Sequence, residues 1–457
     1  MRTRVGVVLA MICACGGGGR SPNDGGTDNR QPVVSVRTTP QNDVDLLFVI
    51  DDSASMADKQ NNLAVNFPNF INVLNTIEGG LPNVHIGVTT TDMGTKSTGS
   101  PTAAPGVGTV GQGGCVNAGD DGKLQTNGAA VTGSFISDVK QTDGTRIKNY
   151  TGDLATVFGQ MARVGATGCG FEQPLHAMKR ALENTTANPG FLRPDAILGV
   201  VFLADEDDCT AKSTQLFAPT DTTIGTLSSF RCTRFGVTCT EGGATSDAMN
   251  VIGAKGGCSS NETSTMIDPV TPYRDFLLGL KTDPSKVVVG GIIGDPTPVA
   301  VETRTINGNN EPAVAHSCMY QGAAGNELAD PGARFKSFFD LFPGRSAFTS
   351  ICQPDLSVAL EQLAQLISRT IGSPCITTPI ADVDASMPGL QPDCVVEDVV
   401  GVSATVIPKC SSPEAPPCWR FDTDAIRCPS LDHLRLTIVR SAPADPATIT
   451  NMRCVVL

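Results

Sequence analysis

Two stretches of the sequence place acidic and hydroxyl side chains where an ion could be held. The first is Phe48-Val-Ile-Asp51-Asp52-Ser53-Ala54-Ser55-Met56. An apolar run delivers Asp51, and a turn then presents the Ser53 and Ser55 hydroxyls beside it. One carboxylate with two neutral hydroxyls suits a hard divalent cation, Mg²⁺ first and Ca²⁺ or Mn²⁺ as alternatives, with waters completing the shell. The second is Phe202-Leu-Ala-Asp205-Glu-Asp-Asp208, another apolar run that ends in carboxylates. In open α/β sheets ligands bind beyond the carboxyl ends of strands, so Asp51 and Asp205 are expected at one sheet edge. Asp and Ser are also common turn residues, and both stretches could merely cap turns and helices. Two carboxylates at corresponding strand ends argue against that bland reading.

The elements that must position these residues are legible as hydrophobic patterns. Val44–Ile50, Val84–Thr91, Ile197–Ala204 and Val287–Ile293 are apolar runs suited to strands buried on both faces. Between them, apolar residues recur at helical spacing. Leu63, Phe67, Phe70, Ile71 and Leu74 form one stripe, with Pro68 expected to kink or split it. Asp153 is placed to cap a helix carrying Leu154, Val157, Phe158 and Met161, and Pro174 to open another. Phe335, Phe338, Phe339 and Phe342 form a core stripe, and Asp355 precedes a last helix that Gly372 and Pro374 stop. The expected fold is α/β, a doubly wound, mostly parallel sheet of Rossmann-like type. Two long stretches, 93–149 and 209–268, interrupt it. After Pro374 short strand-like runs lie among Pro, Ser and Cys, which reads as a small disulfide-rich β module at 374–457.

Composition narrows the setting. In 457 residues, 40% are hydrophobic and 17% charged, enough for a large core. The net charge of -13, without a Lys/Arg run, excludes nucleic acid as an expected partner. Sixteen cysteines without a CxxC pair read as a disulfide framework in an oxidising compartment. Setting aside Cys13 and Cys15, eight lie between Cys115 and Cys352 and six between Cys375 and Cys454. Even counts permit closed pairing within each group. Cys115 with Cys169 is the preferred pair, because it would tie the first insertion to the loop before Pro174. Cys232 with Cys239 is a local alternative.

Residues 1–15 read as an export signal: Arg2 and Arg4, then the apolar run Val5–Ala14. Its end, Ile12-Cys13-Ala14-Cys15, resembles the bacterial lipoprotein box, with Cys15 as the lipidated residue. The Gly-rich stretch 16–40 reads as a flexible tether. An outer-membrane lipoprotein facing the periplasm or the cell surface is therefore expected.

The strand-borne Asp51-x-Ser53-x-Ser55 string, with Asp205 at a later strand end, resembles the von Willebrand factor A domain and its metal-ion-dependent adhesion site. The resemblance covers about 43–372 and places that domain at 41–373. More closely, the chain is similar to cysteine-rich von Willebrand A lipoproteins of myxobacteria and related bacteria. The matching stretches are Asp45–Met56, His85–Asp92, Gly168-Cys-Gly-Phe-Glu-Gln-Pro-Leu175 and Phe202–Cys209. The resemblance implies a divalent cation on Asp51, Ser53, Ser55 and Asp205, and a protein ligand whose acidic group completes its shell. It also implies a middle-loop threonine, but the counted position holds Cys169. Thr167 and Glu172 are the nearby substitutes, and Thr167 is assigned to the metal set.

Enzyme signatures are missing. There is no G-x-S-x-G elbow and no Walker A loop. His85, His176, His316 and His433 show no metal spacing. Gly106-Val-Gly-Thr-Val-Gly111 fits a dinucleotide fingerprint in letters only, since no strand precedes it. The expectation is a binding module without enzymatic activity. Two alternatives stand beside it. One is a structural envelope protein with a vestigial metal site. The other is a metal-dependent hydrolase, for which Glu206, Asp207 and Asp208 are the available bases.

Overall fold

The computed structural model describes residues 30–457 apart from 38–42, 78–79, 142, 282–283, 307, 324, 372–375, 377, 424–427, 429–431 and 442–447. The leader, Cys13, Cys15 and most of the tether lie outside the described residues, as does the boundary expected at 373–374.

The chain begins with β1 (Gln31–Arg37), β2 (Asp43–Ile50), α1 (Ala57–Asn75) and β3 (Asn83–Thr90). The first insertion supplies β4 (Ile136–Lys140) and β5 (Arg146–Lys148), and α2 (Leu154–Met161) and α3 (Pro174–Glu183) lead to β6 (Ile197–Ala204). The second insertion holds α4 (Phe230–Gly236), β7 (Val237–Glu241), α5 (Ser246–Met249) and β8 (Gly253–Ser260). Next come α6 (Thr271–Gly279), β9 (Val287–Ile293), β10 (Val299–Ile306), β11 (Asn309–Val314), β12 (Cys318–Gln321) and β13 (Asn326–Ala329). They are followed by α7 (Ala333–Asp340), β14 (Ser346–Ser350) and α8 (Ser357–Thr370). The C-terminal strands are β15 (Cys394–Val400), β16 (Ser403–Ile407), β17 (Cys418–Thr423), β18 (Leu434–Val439) and β19 (Ile449–Cys454).

One seven-stranded sheet, in the order β14-β9-β6-β2-β3-β4-β5, carries the site. Its central strands β6 and β9 are apolar throughout and β2 is apolar apart from Asp43 and Asp45, because both faces of the sheet are covered there. Val44, Leu46, Phe48 and Ile50 of β2 pack with α1, α2 and α8, whereas Leu47 and Val49 point to the core under α3, α6 and α7. Pro68 does not split α1. Phe67 stacks on Phe158 at 3.6 Å and on Phe70 at 5.2 Å, so packing on both sides of the proline holds the helix to the sheet.

The expectation of a doubly wound, mostly parallel Rossmann-like fold does not hold for this chain. Among pairings of named strands, four are parallel and ten antiparallel, so parallel order is confined to the run from β14 to β3. Antiparallel strands finish that sheet's other edge and build the four remaining sheets. The chain is a mixed α/β protein with disulfide-rich β regions. The antiparallel pairs were not legible because their strands, such as Gly253–Ser260 and Asn309–Val314, are polar or glycine-rich and show no alternation.

The tether reading is corrected as well. Residues 31–37 form β1, which pairs with β19 at one edge of the order β1-β19-β15-β16. Pro32 is tolerated there because an edge strand needs only one row of hydrogen bonds. Among the described residues six disulfides are placed, and each joins two cysteines of the same group. Cys115 pairs with Cys169. The Cys232–Cys239 alternative is replaced by Cys209–Cys232 and Cys239–Cys258.

One buried titratable group gives a direct expectation. Burial, with Lys96 and Arg180 nearby, pushes the His176 imidazole down to about 4. Below the ordinary value near 6.5, the unfolded chain therefore takes up a proton that the folded chain refuses. Stability from this group is complete above about pH 6.5 and is lost as pH falls towards 4, by roughly 3 kcal/mol at most. In urea unfolding at pH 7 and pH 4.5, the wild type should lose more stability than His176→Asn. Equal losses would remove His176 as the cause.

Candidate metal centre

β2 and β6 lie side by side in parallel register, with Ile50 opposite Leu203. The Asp51 N–H donates to Leu203 O at 2.9 Å, so the two strands release their carboxylates at the same edge. The turn after β2 is shaped by Asp51 itself, whose Oδ1 accepts from the Ser53 N–H at 2.7 Å. The Ser53 and Ser55 hydroxyls stand 3.3 Å apart. Ser53 is buried and Ser55 exposed, so this pair runs from the interior to the surface.

Four carboxylate oxygens around these strand ends are buried and have no hydrogen-bond partner, Asp51 Oδ2, Asp52 Oδ1, Glu172 Oε1 and Asp205 Oδ1, and two of them belong to the residues expected to hold the ion. Such atoms are costly in an interior unless a cation satisfies them. Burial, and then the charge of Asp205, hold the Asp51 carboxyl well above the ordinary carboxylate range. Glu206 is pushed up to about 8 by burial and then by Asp330 and Asp205. More carboxyl groups are gathered at this edge than the protein's own cations pair, so ionising them together is disfavoured without a further cation. Among the described residues, no group of three or more His, Cys, Asp or Glu side chains is arranged to hold an ion unaided. The candidate set instead combines two carboxylates with two serine hydroxyls.

The middle loop separates the two proposed substitutes. Gly168 N–H donates to Asp52 O at 2.8 Å, and the Gln60 amide bridges Asp51 O and Gly165 O at 2.8 and 2.6 Å. A Cβ on Gly168 would lie 2.3 Å from the Asp52 carboxylate, so only glycine allows this approach. The Cys115–Cys169 bridge ties the same loop to the first insertion. Thr167 lies in the loop with its side chain exposed. Glu172 is 1% exposed, its Oε1 is unpartnered, and its carboxyl is raised by burial and by the charges of Glu206 and Asp51. Of the two, Glu172 is the side chain turned into the acidic edge.

Several residues at this edge were missed by sequence reasoning. Lys59, 1% exposed, places Nζ 3.0 Å from Asp205 Oδ2, 3.0 Å from Ser55 O and 2.8 Å from Glu327 Oε2. Burial alone would lower its pKa, but Asp205 and Glu327 outweigh that and raise it. His316, read as an ordinary histidine, sets Nδ1 2.7 Å from Asp330 Oδ1. Conversely, two of the candidate bases are engaged in structure. Asp207 accepts from the Arg334 and Phe335 N–H groups at 2.8 and 3.1 Å, capping α7. Asp208 accepts from Leu175 N and the Thr210 hydroxyl and pairs with Arg334 at 2.9 Å.

No family model matches the chain, and no curated protein matches it. Among solved structures, it aligns to the pilus adhesin SpaC of Lactobacillus rhamnosus GG at 12% identity and a TM-score of 0.28. That alignment covers 90% of this chain and 39% of the adhesin. The pilus adhesin RrgA of Streptococcus pneumoniae aligns at 12% identity and a TM-score of 0.30, covering 95% of this chain and 60% of that one. The chain thus spans 39% and 60% of the two adhesins' lengths.

Proposed function

We propose that the chain is a binding module of the bacterial cell envelope, a lipoprotein of the von Willebrand A type, which uses a divalent cation to engage an acidic group on a protein ligand. The observation that carries this reading is the pair of buried, unpartnered oxygens, Asp51 Oδ2 and Asp205 Oδ1, at adjacent strand ends. They fit the charge of a divalent ion, and the Ser53 and Ser55 hydroxyls add neutral oxygens of the kind Mg²⁺ accepts. These side chains supply at most four positions if each binds through one oxygen, and an octahedral shell leaves the rest to water or to a partner carboxylate. Thr167 is exposed, so the proposed set keeps it only as an outer contributor, with Glu172 the stronger candidate for the middle loop. Binding in this way needs no general base, which supports a binding role over an enzymatic one.

The test is calorimetry on the purified chain with Mg²⁺, Mn²⁺ and Ca²⁺, followed by capture of ligands from envelope extract with and without EDTA. One observation favours a second reading, a structural envelope protein that takes no ion: Lys59 already sets an ammonium against Asp205. Absence of binding at millimolar ion would select that reading.

The disulfides support an oxidising, extracytoplasmic compartment. Among the described residues, no helix is long and apolar enough to cross a membrane. Attachment through a lipid on Cys15 is part of the proposal and rests on the Ile12-Cys13-Ala14-Cys15 sequence alone. Two or more acyl chains would anchor stably where one is marginal. Cys15→Ala is expected to abolish labelling by an alkyne fatty acid, and unchanged labelling would rule the anchor out.

A further inference from the structure

A cleft of about 460 Å³ opens beside Asp205, between the first turns of α1, the residues after β6, and β13 with the residues that follow it. Its walls carry Asp58, Glu206, Glu327 and Asp330. Burial holds Glu206 largely protonated near neutral pH, and the other three are only partly matched by the protein's own cations. Lys59 bridges Asp205 and Glu327 and is buried against both. Asp58 accepts a hydrogen bond from the neutral Tyr320 hydroxyl at 2.7 Å. Asp330 has an exposed histidine, His316, as its partner. Arg304 acts on Glu206 and Asp330 through its charge but gives its Nε hydrogen bond to Glu302 at 2.7 Å. Asp205, 3% exposed, lines the same cleft and keeps Oδ1 without a partner.

We propose that this cleft is a subsite for a cationic side chain, so that the ligand is a peptide segment with a lysine or arginine close to its acidic residue. The acidic half of that statement rests on the ion reading above; the cationic half does not. A second bare metal ion fits less well, because the cleft is far larger than an ion and its carboxylates do not converge on one point. A guanidinium or ammonium on an alkyl stem suits dispersed carboxylates. Exposed Leu328 and Ala57, both lining the cleft, give the stem an apolar surface. Ser55 and Asp205 belong both to the cleft and to the candidate ion set, so the two subsites adjoin and a short segment can reach both.

The experiment titrates the purified chain, in EDTA, with N-acetyl-arginine amide and with its neutral isostere N-acetyl-citrulline amide. A charge-assisted hydrogen bond in a partly enclosed cleft predicts that the arginine probe binds about tenfold more tightly than the citrulline probe. Asp330→Asn and Asp58→Asn should each weaken the arginine probe severalfold and leave the citrulline probe unchanged. Equal binding of the two probes, or arginine binding that survives both substitutions, overturns the proposal. The comparison of probes needs no variant, so a folding defect in either substitution does not spare it. Because the ion is chelated, the outcome is separate from the ion reading. Mg²⁺ binding without arginine preference removes only the cleft, and arginine preference without Mg²⁺ binding removes only the acidic half.

Discussion

Asp51→Ala is expected to abolish cation binding while leaving the fold intact. Loss of an outer-shell partner alone typically lowers metal affinity 10–100-fold, so removal of a charged ligand should cost at least about 100-fold. The residue stands at the end of β2 rather than within its apolar run, which is why the fold should survive. Without metal, the variant loses the acceptor that holds the Ser53 N–H but is relieved of a costly buried charge, so its stability should stay within about 1–2 kcal/mol of wild type. It removes a buried carboxylate that burial and Asp205 already disfavour in its charged form. Thermal melts give the readout. The wild type should gain about 2.7 kcal/mol at an ion concentration one hundred times its dissociation constant, and Asp51→Ala should gain nothing. Ser53→Ala should show an intermediate gain, because a neutral hydroxyl ligand can be replaced by water. A full metal-dependent gain in Asp51→Ala would end the adhesion-site reading.

Arg334→Met should lower the unfolding free energy by about 3–5 kcal/mol, the range for breaking one side of a buried ion pair. The side chain is 0% exposed. Its guanidinium reaches Asp208 Oδ2 at 2.9 Å, Gly236 O and Ser260 Oγ at 3.0 Å, and Asp268 O at 2.7 Å. It thereby ties the second insertion to the end of β6. Methionine fills much of the volume but leaves the buried Asp208 carboxylate without its cation. Arg334→Lys should also be destabilising, because one ammonium cannot reproduce the planar fork that meets four groups. Pairing Arg334→Met with Asp208→Asn should recover part of the loss. Urea unfolding of the single and double variants checks this, and additive losses would exclude the ion pair as the cause.

Much of what positions the site was readable in the sequence. Ile197–Ala204 is apolar on both faces and Val44–Ile50 is so apart from Asp45, and a strand with that property must be covered on both sides. That requirement puts Asp51 and Asp205 at strand ends, and the structure sets them on adjacent strands. The Asp153 cap and the Cys115–Cys169 bridge were likewise legible, one from local turn chemistry and one from the choice of partner loops.

The insertions were not. β8 and β11 are stabilised by pairing and by bridges such as Cys239–Cys258, not by an apolar period, so their sequences hold no strand signature, and the short alternations of β7 and β10 do not reveal their antiparallel partners. That is why a mostly parallel fold was expected and a mixed one is found. The site's charge balance was hidden for the same reason. Lys59 meets Glu327 across 268 positions of sequence, and Arg334 meets Asp208 across 126. By itself the sequence determined which strands are buried and which carboxylates end them, because burial leaves a periodic trace along the chain. Only the tertiary structure decided which cation faces which carboxylate, and that Glu172 rather than Thr167 turns inward. Electrostatic partners are chosen by distance in space, and distance in space leaves no period in the sequence.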